Sequence, residues 1–177
     1  MSALDIPRPG PDEYAPYYAG YVARVPDAPL LTQLVRQGDE MATLLAGIDE
    51  RRAGYRYAPE KWSIKEMVGH LTDLEWIMAY RLLRIARADP TPLVSFSEND
   101  YVRAGQFDRL PLATLAAQLA RVRQATVGML GGLTPDALAR RGEANGAAVS
   151  ARAIAYIVAG HELHHVQVLQ SRYLRFE

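Results

Sequence analysis

Four long segments of this chain carry apolar residues at intervals of three, four and seven, and no stretch alternates convincingly between apolar and polar. That periodicity predicts helices, each burying one face. From Leu30 to Ile48 the apolar positions are Leu31, Leu34, Met41, Leu45 and Ile48. Ser63-Ile64-Lys65-Glu66 reads as a capping box, in which Ser63 accepts from the Glu66 amide while Glu66 reaches back. It opens a second helix to about Ala88, with Met67, Leu71, Leu74, Met78 and Ile85 inward, and Pro90 and Pro92 end it. Pro111 suits the start of a third helix, whose seam is Leu112, Leu115, Leu119, Val122, Met129 and Leu133. Ser150 can cap the last helix, which carries Ile154, Val158, His161, His165 and Val168 on one stripe. The expected fold is all-α, a four-helix bundle. The long link from Thr91 to Leu110, with a short helix near Glu98 to Arg103, means that the second and third helices need not be simple antiparallel neighbours. Thr134-Pro135 starts a short helical piece, and Gly142 with Asn145-Gly146 reads as a turn-rich loop.

At 177 residues the chain has the length of one domain, 1–177, with a full core. Its first 29 residues, rich in proline and tyrosine, are expected to lie against the outside of the bundle as a short aromatic turn of helix. Packing is the expected role of Tyr14, Tyr17, Tyr18 and Tyr21. Lys+Arg and Asp+Glu both total 20, so no basic surface favours nucleic acid or an anionic membrane. Cysteine is absent, which excludes disulfides, thiolate ligands and cysteine nucleophiles. The N-terminus shows no apolar signal region, and the longest strongly apolar stretch, Ala153 to Gly160, is far below the roughly 20 residues a bilayer requires. A cytoplasmic location is expected.

The histidines are the most informative residues. There are four: His70, His161, His164 and His165. His161 and His165 stand i, i+4 on the apolar stripe, where two imidazoles can reach one ion. His70 shares the inward face of its helix with Met67, Leu74 and Ile77 and can approach the pair from across the bundle. Three neutral imidazoles and a water make an open coordination site that suits zinc, nickel, iron or copper. On spacing alone, satisfied core histidines explain the pattern as well as a metal does. His164 could replace His165, but His165 aligns better with the stripe, and a surface or supporting place is expected for His164.

His161-Glu162-Leu163-His164-His165 also satisfies H-E-x-x-H. Position 171 is Ser where the extended peptidase motif has histidine, and the short tail ending at Glu177 leaves little room for a downstream ligand. Glu162 is therefore expected on the solvent side. Glu66 is expected to act as a cap, Asp73 and Glu75 to be solvated charges, and Trp62 and Trp76 to pack in the core or an interface.

Together, Lys61-Trp62-Ser63-Ile64-Lys65-Glu66, His70-Leu71 and Gly160-His161-Glu162-Leu163-His164-His165 resemble the DinB/YfiT-like metalloenzymes. The N-terminal run from Pro11 to Tyr18 and the run from Phe96 to Val102 are similar to a DinB-like subgroup. The resemblance covers nearly the whole chain. It implies a four-helix bundle with a long crossover and a metal held at His70, His161 and His165, zinc or nickel foremost. It also implies metal-dependent thiol S-transfer or, more distantly, thiol-dependent isomerisation, with the thiol arriving as a low-molecular-weight cosubstrate.

The expected function is thus S-transfer to a small electrophile. A metal-dependent hydrolase is the near alternative, and a non-catalytic metal-binding helical module comes from a different class. The expected partner is a small molecule, and a bundle this apolar leaves a homodimer open.

Overall fold

A computed structural model of the chain describes residues 6–174. Two short 3-10 turns, Pro11–Glu13 and Pro16–Tyr18, lead into α1 (Ala19–Arg24). There follow α2 (Leu30–Ala46), α3 (Glu50–Ala53), α4 (Ile64–Ala86), α5 (Glu98–Gly105), α6 (Leu112–Gly131) and α7 (Pro135–Ala139). A hairpin of β1 (Arg141–Ala144) and β2 (Ala147–Ser150) precedes α8 (Ala151–Val168), which runs on into a wider turn at Leu169–Tyr173. None of these helices is long and apolar enough to cross a membrane.

The four long helices α2, α4, α6 and α8 form the bundle. α2 and α4 each pack against both α6 and α8, so α2 faces α4 across the bundle axis and α6 faces α8. The predicted seams supply the core. Leu34, Met41 and Leu45 of α2, Met67, Leu71, Leu74, Met78 and Ile85 of α4, and Leu112, Leu115, Leu119 and Val122 of α6 are all buried. On α6 the inward position in the last turns is Leu130, with Met129 only partly buried.

Ser63 caps α4 as predicted. Its hydroxyl accepts from the Glu66 amide at 3.0 Å, and the Glu66 carboxylate accepts from the Ser63 amide at 3.0 Å. Ser150 caps α8 in the same way, accepting from the Ala153 amide at 3.0 Å.

Three features depart from the sequence reading. The 141–150 stretch is a hairpin, not a loop. Asn145 (φ 55°) and Gly146 (φ 73°) both take left-handed backbone, as a two-residue primed turn demands, and this Asn-Gly pair was the available signal. The crossover extends the hairpin at one point, since the Leu93 amide donates to the Glu143 carbonyl and the Leu93 carbonyl accepts from the Asn145 amide, both at 2.9 Å.

The N-terminal segment is also more than an outer layer. Ile6, Val22 and Val25 are buried in the core. α1 lies across α8, and a Cβ at Gly160 would overlap the Tyr21 carbonyl, so only glycine admits this close approach.

Third, α8 is buried on every side from Ala153 to Glu162 rather than on one stripe. A helix surrounded by three neighbours has no solvent face.

Candidate metal centre

The caps position the histidines. The capping box fixes the start of α4, and His70 stands two turns further on, 2% exposed. Glu66 is also bound by Arg56, so its carboxylate serves the cap and that ion pair. Gly69, beside His70, lets the Phe107 ring lie directly on α4. From α8, His161 and His165 face His70. The His161 Nε2 lies 3.1 Å from the His70 Nε2 and 3.1 Å from the His165 Nε2.

A neutral imidazole Nε2 offers either one proton or one in-plane lone pair, so the His161 Nε2 cannot make well-directed hydrogen bonds to both neighbours at once. A tetrahedral ion bonded at about 2.0–2.1 Å sets its ligand atoms roughly 3.3 Å apart, close to the spacing found. The three ligand atoms lie within 4.8 Å of one another and form a group that could hold a metal ion. His164 is outside that group.

The surroundings favour neutral rings. Burial depresses the His70 pKa to about 4. Burial, reinforced by His70 and His164, takes His165 to about 3. His161 is lowered as well, by burial first and then by its histidine neighbours. Neutral imidazole is the metal-ligating form. The Trp62 ring lies 4.6 Å from the His70 ring, and Tyr21 sets its edge 5.4 Å from His161 and 5.6 Å from His164. Trp62 therefore walls the histidine group, while Trp76, expected to pack, is 57% exposed.

Glu162 and Glu75 overturn their expected places. Each is 2% exposed, and both are held by Arg123 of α6, itself buried. The Arg123 guanidinium makes a two-pronged pair with Glu75, both bonds 2.8 Å, binds Glu162 through Nη2 and donates to the Leu34 carbonyl at 3.1 Å. One side chain thus ties together all four bundle helices. Arg123 is not among the residues of the predicted α6 seam. The visible signal was the Leu119, Arg123, Thr126, Leu130 spacing, which puts an arginine on the buried seam. Asp73 is partly buried, and its pKa is raised by desolvation.

A cavity of about 300 Å³ opens beside His161. Its walls include Tyr17, Tyr18, Tyr21, Leu74, Met78, Phe96 and Ile157. The tyrosines, read as packing residues, line it. The Tyr21 hydroxyl is kept neutral, its pKa raised by burial and by Tyr17.

A four-helix bundle with a long crossover and a largely buried three-histidine cluster defines the structural class. The chain belongs to the DinB superfamily, whose family model matches residues 33–169. Among solved structures it is similar to YfiT from Bacillus subtilis, described as "a probable metal-dependent hydrolase with an unusual four-helix bundle topology". That likeness has a TM-score of 0.73 at 14% identity, over 89% of this chain and 90% of that one. It is also similar to the mycothiol-dependent maleylpyruvate isomerase, with a TM-score of 0.67 at 15% identity over 82% of this chain. Only 61% of the isomerase is covered. At such identities the likeness concerns the fold. No curated protein matches the chain in sequence.

Proposed function

We propose that the protein is a metal-dependent enzyme that transfers a low-molecular-weight thiol to a small electrophile, with His70, His161 and His165 as the metal ligands. The observation that carries this reading is the convergence of two buried histidines and the half-buried His165 beside a cavity large enough for a small molecule. Three imidazoles leave one coordination position open, the pattern of reactive rather than structural sites. Bound zinc or nickel would supply Lewis acidity, lowering the pKa of the thiol so that the nucleophilic thiolate predominates near neutrality.

In the reaction, a carbon–sulfur bond forms as the leaving group departs with its bonding electron pair, and the thiol proton passes to solvent. The protein's own residues bind and exclude. Trp62 and Tyr21 shield the histidines from water. Leu74, Met78 and Ile157 receive the apolar part of the electrophile.

A hydrolase is the second reading, favoured by the same open three-histidine set, on which a metal would lower the pKa of water to about 7. Two measurements test these readings. Elemental analysis of untagged protein should give one transition-metal ion per chain, lost in His70→Ala. Turnover of chlorodinitrobenzene should require added thiol and fall with the metal. Metal-dependent cleavage of ester substrates without thiol would sink the transferase and leave the hydrolase. Full histidine occupancy with no turnover of either kind would leave a binding module.

A further inference from the structure

Arg81 is a buried arginine of a different kind from Arg123. It is 3% exposed, yet among the described residues no carboxylate pairs with it. Its Nη2 donates to the Val94 carbonyl at 2.7 Å and to the Asn145 Oδ1 at 2.8 Å, and the guanidinium stands 5.7 Å from the centre of the Phe96 ring. Tyr18 also hydrogen-bonds to it. These partners satisfy N–H groups but carry no formal charge. A cation taken out of water without a counter-charge is costly, and burial lowers the Arg81 pKa accordingly.

The position of this charge matters. A second, much smaller cavity, which shares Tyr18, Met78 and Ile157 with the one beside His161, is walled by Arg81. It measures about 10 Å³, roughly the space of a single water-sized group such as a carboxylate oxygen. Arg81 and His70 are eleven positions apart on α4, a rise of about 16 Å, so a molecule that spans both is elongated. Its body would lie on apolar side chains. Glu98 also borders the cavity; the residue is exposed, and desolvation raises its carboxyl pKa, which disfavours its charged form.

We infer that Arg81 is the specificity-determining residue of the cleft, binding the carboxylate of an elongated, apolar-bodied substrate whose reacting end reaches the three histidines. This inference rests on the cleft being the substrate site of the proposed enzyme. Arg81 would form a charge-assisted hydrogen bond that a neutral isostere cannot match.

The test compares binding of phenylbutyrate with that of phenylbutyramide by calorimetry, on the full chain both metal-loaded and chelator-treated. The acid should bind the wild type about tenfold or more tighter than the amide, whether or not metal is present. In Arg81→Met the two affinities should come within about twofold, with amide binding retained as the sign of an intact cleft. Arg81→Lys, which keeps the charge and loses the fork, should keep part of the preference; it provides the test should Arg81→Met fail to fold. Equal affinities in the wild type, no binding of the acid, a preference that survives Arg81→Met, or a preference confined to the metal-loaded protein would each overturn the inference. Failure of the thiol-transfer assay would leave the binding result standing, so the two failures are distinguishable.

Discussion

Arg123 on α6 binds Glu162 on α8, the residue next to His161, and the same guanidinium holds Glu75 on α4, a little more than one turn beyond His70. The two helices that bring the histidines together are therefore clamped from the far side by one buried cation. With two carboxylates to one guanidinium, the cluster carries a formal charge of −1, and burial raises the Glu162 pKa against the opposing pull of Arg123.

Removing that cation should be severe. Arg123→Met leaves two buried carboxylates unpaired and should cost about 3–5 kcal/mol of stability. Denaturant unfolding measures the loss, and metal content should fall with it because α4 and α8 lose their common anchor. Arg123→Lys, which keeps the charge but loses the two-pronged geometry, should lie between.

Gly160→Ala should destabilise the fold by about 1–3 kcal/mol, since a methyl group at that position collides with the backbone of α1. The neighbouring Tyr21 should be displaced from His161, which tyrosine fluorescence would report. Gly128→Ala is the control, because nothing lies near its Cβ position.

Among the histidines, His165→Ala should abolish stoichiometric metal binding and His164→Ala should not. The His161 Nε2 lies 3.1 Å from that of His165, whereas His164 is turned toward Tyr21. Elemental analysis of the two variants in parallel checks this. Equal retention in both would remove His165 from the ligand set.

The metal-free protein should lose stability as the pH falls below 6.5. His70 stays neutral in the folded protein down to about 4 and His165 to about 3, while both protonate near 6.5 in the unfolded chain. The unfolded state thus binds more protons in that window, so stability rises with pH through it and levels off above 6.5. At pH 5, unfolding of His70→Ala should take up about one proton fewer than the wild type. Equal proton uptake would mean that His70 is solvated.

An acid-range effect of opposite origin is expected from Glu13. Its pKa is lowered to about 2, chiefly by the hydrogen bond from Arg152, helped by the Gly10 amide. The stability it contributes is fully present above pH 4.5 and lost as the pH falls toward 2. In Glu13→Gln, denaturant titrations across that interval should show a flatter dependence.

The sequence by itself determined the helices that matter and where they begin. Serines three residues before an amide in need of an acceptor, and leucines at three-four spacing, act within a turn or two and need no knowledge of the fold. The i, i+4 placement of His161 and His165 is local in the same sense, and their likeness to the DinB pattern was legible beside His70. Asn145-Gly146 is equally local: an Asn-Gly pair by itself favours a two-residue hairpin turn.

What only the tertiary structure decided are the fates of groups whose partners lie far along the chain. Glu75 and Glu162 look like solvent charges until Arg123, 48 and 39 residues away respectively, meets them. Tyr21 looks like outer packing until Gly160 admits α1 against α8. Arg81 looks like one more scattered arginine until the crossover and the hairpin close over it. Burial and counter-charge depend on which helices become neighbours, and residue spacing along one helix cannot specify that.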